Sequence, residues 1–362
     1  MSEFIPSLKL NQLFYEEVIR PLLRQRFSNI PYSAARLGGG SDVLGYDTPM
    51  STDHDWGIRQ QIFLTPEHHQ QYGQAIHQLF QQEFPYTYKG FAVHFSPPTA
   101  EGSRVPATTY IGPVQHRVEI TTIQQFFGKT LNFDPFTEPT IFDWLTIPQQ
   151  FFLELSKGQI YHDGLHQLHT VRQKIAWYPY DVWLYLLMAQ WTRIGQEEHF
   201  LGRTGFVGDD LGSQLLAGRL VHDIMLLCFL MERTYAPYTK WFGTAFNELT
   251  CASELSPILR QVLLAEDWQT REKHLCSAYE YVGHKHNALN ITEFIEPTVR
   301  PFFDRPFQVI DAGRFCTALR NAITDPAVRN IQTPIGSIDQ FSDNTDLRSY
   351  PNLHKRLQIL YK

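Results

Sequence analysis

The sequence predicts an α+β protein, a mixed sheet with helices over residues 1–135 and a mainly helical domain over residues 136–362. Three observations carry this reading. Short strand-like runs are interleaved with helical signals up to about residue 130. Past Pro135 and Pro139 the apolar spacing turns helical almost throughout. The composition, 43% hydrophobic and 14% aromatic against 19% charged, supplies a large core, and 362 residues are enough for two domains or three.

Taken in order, residues 8–27 form an amphipathic helix with Phe14, Val18, Leu22 and Leu23 on one side, and Pro21 disturbs its middle. Residues 33–37 lead into Gly38-Gly39-Gly40-Ser41 and a loop holding Gly45, Asp47 and Pro49. Residues 53–64 read as a strand. Thr65-Pro66-Glu67 is a helix start, a capping hydroxyl followed by proline at the first helical position, and that helix runs to about Phe84. Residues 91–95 and 117–123 are further strands, the second alternating Val118 and Ile120 inward with Glu119 and Thr121 outward. Long helices follow near 170–195, 211–234, 254–285 and 308–324.

Charge and cysteine usage exclude several classes. The balance of 31 Lys+Arg against 37 Asp+Glu gives −6, which argues against long nucleic acid as a partner while leaving room for a local basic cleft. Cys228, Cys251, Cys276 and Cys316 are widely spaced, so neither a zinc knuckle nor a disulfide framework is expected. The longest apolar run, residues 224–231, is far shorter than the roughly 20 residues that span a bilayer. A cytoplasmic protein without a membrane partner is the expectation.

The informative stretch is Gly38-Gly39-Gly40-Ser41-Asp42 followed by Asp53-His54-Asp55, with eleven residues between Ser41 and Asp53. On a strand, Asp53 and Asp55 project from one face. Two carboxylates there repel each other unless a cation lies between them, and Mg²⁺ prefers one or two carboxylates plus substrate phosphates. The glycine turn lets backbone N–H groups approach phosphate oxygens. Glu119, on a neighbouring strand, completes a carboxylate trio. Such a site suits a metal-chelated nucleoside triphosphate.

This pattern, G-[GS] and then D-x-D with a later carboxylate, resembles the DNA polymerase β nucleotidyltransferase superfamily, with Gly40-Ser41, Asp53, Asp55 and Glu119 in the matching positions. A closer resemblance is to an uncharacterised bacterial family of nucleotidyltransferase-like proteins, a domain of unknown function. It is carried by GSDVLGYD…STDHDWG, VEITTI, ERTYAPYTKWFGTAF and IGSIDQFSD. The resemblance implies a nucleotidyltransferase-type N-terminal domain and a helical C-terminal domain, and it brings no substrate. Most superfamily members place a helix directly after the G-S turn. Here Gly45, Asp47 and Pro49 shorten or distort that helix and make Asp42 and Asp47 extra polar contacts.

Competing motifs fail. Gly128-Lys129-Thr130 ends like a P-loop, but the first glycine of that motif falls at Ile123. Gly38 and Gly40 begin a dinucleotide fingerprint whose third glycine is Val43. His162, His166 and His169 fall on one helical face near Asp163, a candidate metal site or a chance cluster among 15 histidines. Arg219, His222 and Asp223 interrupt an apolar helix, as a salt-bridged network or as a contact to nucleotide or acceptor. Tyr235, Tyr238, Lys240 and Trp241 are interdomain packing or a base-stacking and phosphate-binding set.

The expected function is Mg²⁺- or Mn²⁺-dependent transfer of a nucleoside monophosphate from an NTP to a hydroxyl of a small molecule, a protein or an RNA end. Asp53 and Asp55 would hold metal, and Glu119 would be base or third ligand. Gly39, Gly40 and Ser41 would grip the phosphates. Lys240 would face the carboxylates from the helical half. The alternative is a non-catalytic nucleotide-binding or regulatory protein.

Overall fold

A computed structural model describes residues 3–100, 102–107 and 110–361. The chain divides into two compact units, Met1–Glu138 with Phe151–Ala176, and Pro139–Gln150 with Trp177–Lys362. Its content is mixed helix and sheet, compatible with the α+β expectation.

In the first unit α1 (Ser7–Phe14), a π turn (Tyr15–Ile19) and α2 (Arg20–Arg26) run together where one helix was expected. Pro21 cannot donate a helix hydrogen bond, and widening the preceding turn is one way a helix absorbs that loss. Then come β1 (Ser33–Arg36), α3 (Ser41–Leu44), β2 (Arg59–Phe63) and α4 (Pro66–Glu83). Thr65 caps α4, its hydroxyl accepting from the His68 N–H at 3.2 Å. A small hairpin, β3 (Thr87–Tyr88) and β4 (Phe91–Ala92), precedes β5 (Arg117–Thr121) and α5 (Ile123–Leu131). The chain then makes α6 (Ile141–Thr146) and α7 (Gln149–Ser156) before β6 (Gln159–Asp163) and α8 (Leu168–Lys174).

The main sheet has the order β5-β2-β1-β6. β2 and β5 are parallel, with Arg59 beside Arg117 and Gln61 beside Glu119, whereas β1 is antiparallel to both β2 and β6. One face packs Ala34, Ile62 and Val118 against Leu10, Phe14, Ile19, Ile76 and Phe80 from the helices. On the other face Phe63 meets Phe126 of α5, ring centroids 5.5 Å apart.

Five sequence expectations need correction. The stretch 170–195 is broken, α8 ending at Lys174 and the next helix starting at Tyr180 after Pro179, and 308–324 opens as a short strand (Gln308–Val309) with its helix starting only at Gly313. Residues 53–58 are not strand. Pro49–Asp53 is a 3-10 turn boxed by Thr48 and Ser51, and Asp55 (φ 49°) and Gly57 (φ 108°) are left-handed, which interrupts any pleat. The stretch 254–285 is two helices, α13 (Ala252–Leu264) and α14 (Trp268–Ala288), because Ala265 is extended and Asp267 starts a new helix by accepting from the Thr270 N–H. Residues 159–163, in the part expected to be helical, pair with β1 as an edge strand.

The second unit is built on α9 (Tyr180–Glu197), α10 (Phe200–Phe206), α11 (Asp210–Met231), α12 (Thr239–Phe246), α13, α14 and α15 (Gly313–Ala322). Trp183, Trp191, Leu227, Phe229, Leu255, Tyr279 and Phe315 are buried in it. By length and composition α11 is apolar enough to cross a bilayer, and 61% of its most apolar stretch is buried inside the fold.

Candidate functional site

The glycine turn is held from below by a buried ion pair. Arg36, at the end of β1, and Asp42, in α3, are 1% and 2% exposed and meet at 2.8 Å through Nε–Oδ2 and again through Nη2–Oδ1. Asp42 also accepts from the Ser7 hydroxyl at 3.0 Å. Burial raises the Asp42 carboxyl, but the Arg36 charge and hydrogen bonds outweigh it and the net shift is downward. Gly40 sits at φ 144°, and a Cβ there would run into Asp42 Oδ1 and approach Arg36 Nη2 to 2.8 Å, so only glycine lets this pair close. The helix after the turn is one turn long and stops at Gly45, which is left-handed at φ 82°. Asp42 and Asp47, expected as ligand contacts, are clamps instead. Asp47 accepts from the Ser7 N–H at 2.7 Å and from Trp56 Nε1 at 2.8 Å.

The three carboxylates are placed differently from one another. Asp53 ends the 3-10 turn, 66% exposed, accepting from the His54 N–H at 2.9 Å and lying 2.9 Å from His54 Nδ1. Its hydrogen bond with the His54 ring lowers its carboxyl below the usual range. Asp55, 34% exposed, is ion-paired to Arg117 at 2.7 Å. Burial opposes ionisation of Asp55, and Arg117 more than offsets it. Glu119 lies exposed on β5, on the sheet face of Arg117 and beside Gln61. Among the described residues no group of three or more His, Cys, Asp or Glu is gathered closely enough to hold a metal ion. The alternation that was expected to put Asp53 and Asp55 on one face fails, because they lie in a turn.

Sequence reasoning passed over the arginines. Arg36, Arg59 and Arg117 surround the turn, with Arg36 Nη2 and Arg59 Nη2 both donating to the Gly39 carbonyl, at 3.0 and 3.4 Å. Arg59 also donates to the Asp55 carbonyl, and among the described residues no carboxylate stands within ion-pair distance of it. Burial first, then the charges of Arg36 and Arg117, pushes the Arg59 guanidinium below its ordinary value. Arg36 and Arg117 are paired with Asp42 and Asp55, and the Glu154 carboxylate lies beside Gly39, so Arg59 is the guanidinium of the three without an ion pair among the described residues. Such a place suits an anion with several oxygens, because guanidinium forks match phosphate geometry. The available signal was an arginine directly before Leu37-Gly38-Gly39-Gly40 and one at the start of each of two strands. The N–H face of the loop is set by α1, where Asn11 donates to the Gly57 carbonyl at 2.9 Å and accepts from the Arg59 N–H at 2.8 Å.

The other candidates are divided between the two units. His162 is on β6, His166 is a left-handed turn residue at φ 56° and His169 is in α8, so the three do not share a helical face. Asp163 accepts from the Ser33 hydroxyl at 2.8 Å and from the N–H groups of Gln167, Leu168 and His169, which starts α8. In the helical unit, buried Asp223 pairs with Arg193 at 3.1 Å and accepts from Gln190, while Arg219 pairs with Glu197. That is the salt-bridged network. Tyr235 is buried beside Trp177 and Tyr178 within the same unit. Lys240 is exposed, its ammonium 5.1 Å from the centre of the Trp241 ring.

These features define a two-unit chain, a small mixed sheet carrying an arginine-rimmed glycine turn and a helical unit with buried charge pairs. A family model described as a domain of unknown function (DUF4037) matches residues 144–242, which run from α6 into α12. The matched span holds Arg193, Arg219, His222, Asp223 and Lys240, whereas Gly39, Gly40, Ser41, Asp53, Asp55 and Glu119 lie outside it. No curated protein matches the chain.

Proposed function

We propose that the protein transfers a nucleoside monophosphate from an NTP to a hydroxyl acceptor, with the triphosphate at the glycine turn. The observation that carries this reading is Arg59, which donates with Arg36 to the Gly39 carbonyl, feels the Arg117 charge and has no ion-paired carboxylate among the described residues. A nucleotidyltransferase-type order also supports it: strand, glycine turn, short helix, strand, helix and a strand parallel to the second. Asp53 and Asp55 do not make a preformed metal cage, since each is held by a different partner; a Mg²⁺ ion arriving on the triphosphate needs one or two protein carboxylates, and exposed Asp53 would supply one. When bound, such an ion offsets charge on the phosphates.

The chain's own residues have separate tasks. Gly39, Gly40 and Ser41 admit phosphate oxygens to the backbone, and Arg59 and Arg117 bind the β- and γ-phosphates. The acceptor oxygen attacks the α-phosphorus, the bond to the bridging α–β oxygen breaks, and pyrophosphate leaves with that oxygen. Glu119, exposed on β5, takes the acceptor proton.

One observation favours a second reading. Asp55 is already committed to Arg117, as in a protein that binds a nucleotide without turning it over. Full-length protein incubated with each NTP, Mg²⁺ and polyol, peptide or RNA-end acceptors separates the two by pyrophosphate release. Turnover that falls at least about 100-fold in Asp53→Asn and Asp55→Asn is expected. A melting temperature raised by Mg²⁺–NTP without pyrophosphate release supports the non-catalytic reading. No rise and no release with any NTP overturns both.

A further inference from the structure

The helical unit carries a cleft of about 760 Å³, well within the range of small-molecule sites. One wall is a stripe along α11, in which Leu215, Gly218, Arg219, His222 and Leu226 recur at helical spacing. α12 supplies Phe242 and Gly243, and residues 339–343 with Arg348 close the opposite side.

Two features show that this space is kept open. Gly218 and Gly243 lie inside helices, where glycine is the poorest residue after proline. Neither is needed for packing or for a left-handed turn, because a Cβ at either would meet nothing within 4 Å and neither has a positive φ. A bare helix backbone facing a cleft lets another molecule lie close against it. The cleft's buried charges are moreover already paired. Asp223 is held by Arg193 at 3.1 Å and Asp339 by Arg348 at 2.6 Å, with Asp339 also accepting from the Gln149 N–H at 2.8 Å.

We propose that this cleft binds an uncharged sugar or polyol. Arg193, Arg219 and Arg348 are each already held by a carboxylate, Asp223, Glu197 and Asp339 in turn, so no guanidinium in the lining is left over for an anion. A hydroxyl both donates and accepts, and a row of them satisfies guanidinium and carboxylate together without separating the pairs. A flat ring for the C–H side of a sugar is offered by His222, more than half exposed and stacked on Phe242 with centroids 4.8 Å apart and planes 25° from parallel. The proposal stands on the helical unit alone and does not depend on what the sheet unit does with a nucleotide.

The test uses the full chain with D-glucose, maltose and myo-inositol as probes, followed by melting temperature and titration calorimetry. Glucose 6-phosphate and spermidine serve as the charged comparisons. At least one uncharged probe should bind and raise the melting temperature. Gly218→Leu and Gly243→Leu should keep or raise the melting temperature of the free protein, since each replaces a helix glycine, and should weaken that binding at least tenfold. Gly218→Ala, whose single methyl enters open space, provides a folded variant if leucine is not tolerated, and should weaken binding to a smaller degree. The proposal is overturned if none of the three uncharged probes binds, if only a charged probe binds, or if the folded glycine variants bind as the wild type does.

Discussion

Two arginines on neighbouring strands illustrate how one residue type serves opposite ends. Arg36 is buried with its own carboxylate, doubly bonded to Asp42, and the glycine turn rests on that pair. Arg59 stands among guanidiniums and donates to carbonyls only. Removing one partner of a buried pair leaves the other charge uncompensated, which costs about 3–5 kcal/mol. Arg36→Met should therefore lose about that much in urea denaturation. Arg59→Gln removes like-charge repulsion and should leave stability unchanged or slightly higher, while weakening triphosphate binding. Equal destabilisation by the two substitutions would falsify the assignment of Arg59 as an anion-binding group and leave it a structural residue.

At the scale of elements, the turn between β1 and α3 depends on a close approach that no side chain permits. Gly40→Ala directs a methyl at Asp42 Oδ1 and toward Arg36 Nη2, at a backbone angle rarely adopted by other residues. A loss of about 1–3 kcal/mol is expected, with weaker triphosphate binding in parallel, read by urea midpoint and calorimetry. Unaltered stability in that variant would mean that the turn is slack. Elements with strong local chemistry were legible in the sequence. The Thr65-Pro66 start of α4 was one, and the alternation that marks β5 another. What was not legible depended on distant partners. Nothing near residue 53 announces that Asn11 and Ser7 will hold the loop, so the D-x-D looked like strand. Likewise Asp42 looked like a ligand contact because nothing local marked Arg36 as its partner. Charge pairs across 6 to 62 residues carry no periodic signal, and the arginine rim was missed for that reason.

For the whole molecule the buried titratable groups oppose one another. His116, against His77, Phe80 and Phe84, and His286, against Trp191 and Phe315, are both pushed down to about 4, chiefly by burial. Their contribution to stability is present above the unfolded value of 6.5 and is lost as pH falls through about 4. Glu198, which accepts from the N–H groups of Ile310, Asp311 and Ala312, and Glu272 are both pushed up to about 7 by burial. Their contribution has the other sign, present below the unfolded value of 4.5 and lost as pH rises through about 7. His116 and His286 titrate over nearly the same window as Glu198 and Glu272 with the opposite sign, so these four together should change the urea midpoint little between pH 7 and 5. Below about 4.5 the balance fails, because Glu232, brought down to about 2 against burial by Lys285 and the N–H groups of Thr250 and Cys251, stays charged in the fold while the unfolded chain takes up its proton. A flat plateau followed by a steep acid fall is expected for the wild type. His116→Gln should tilt the plateau so that stability rises toward pH 5, and Glu198→Gln should tilt it the other way. Plateaus that stay flat in both variants would show that these groups titrate alike in the folded and unfolded chain.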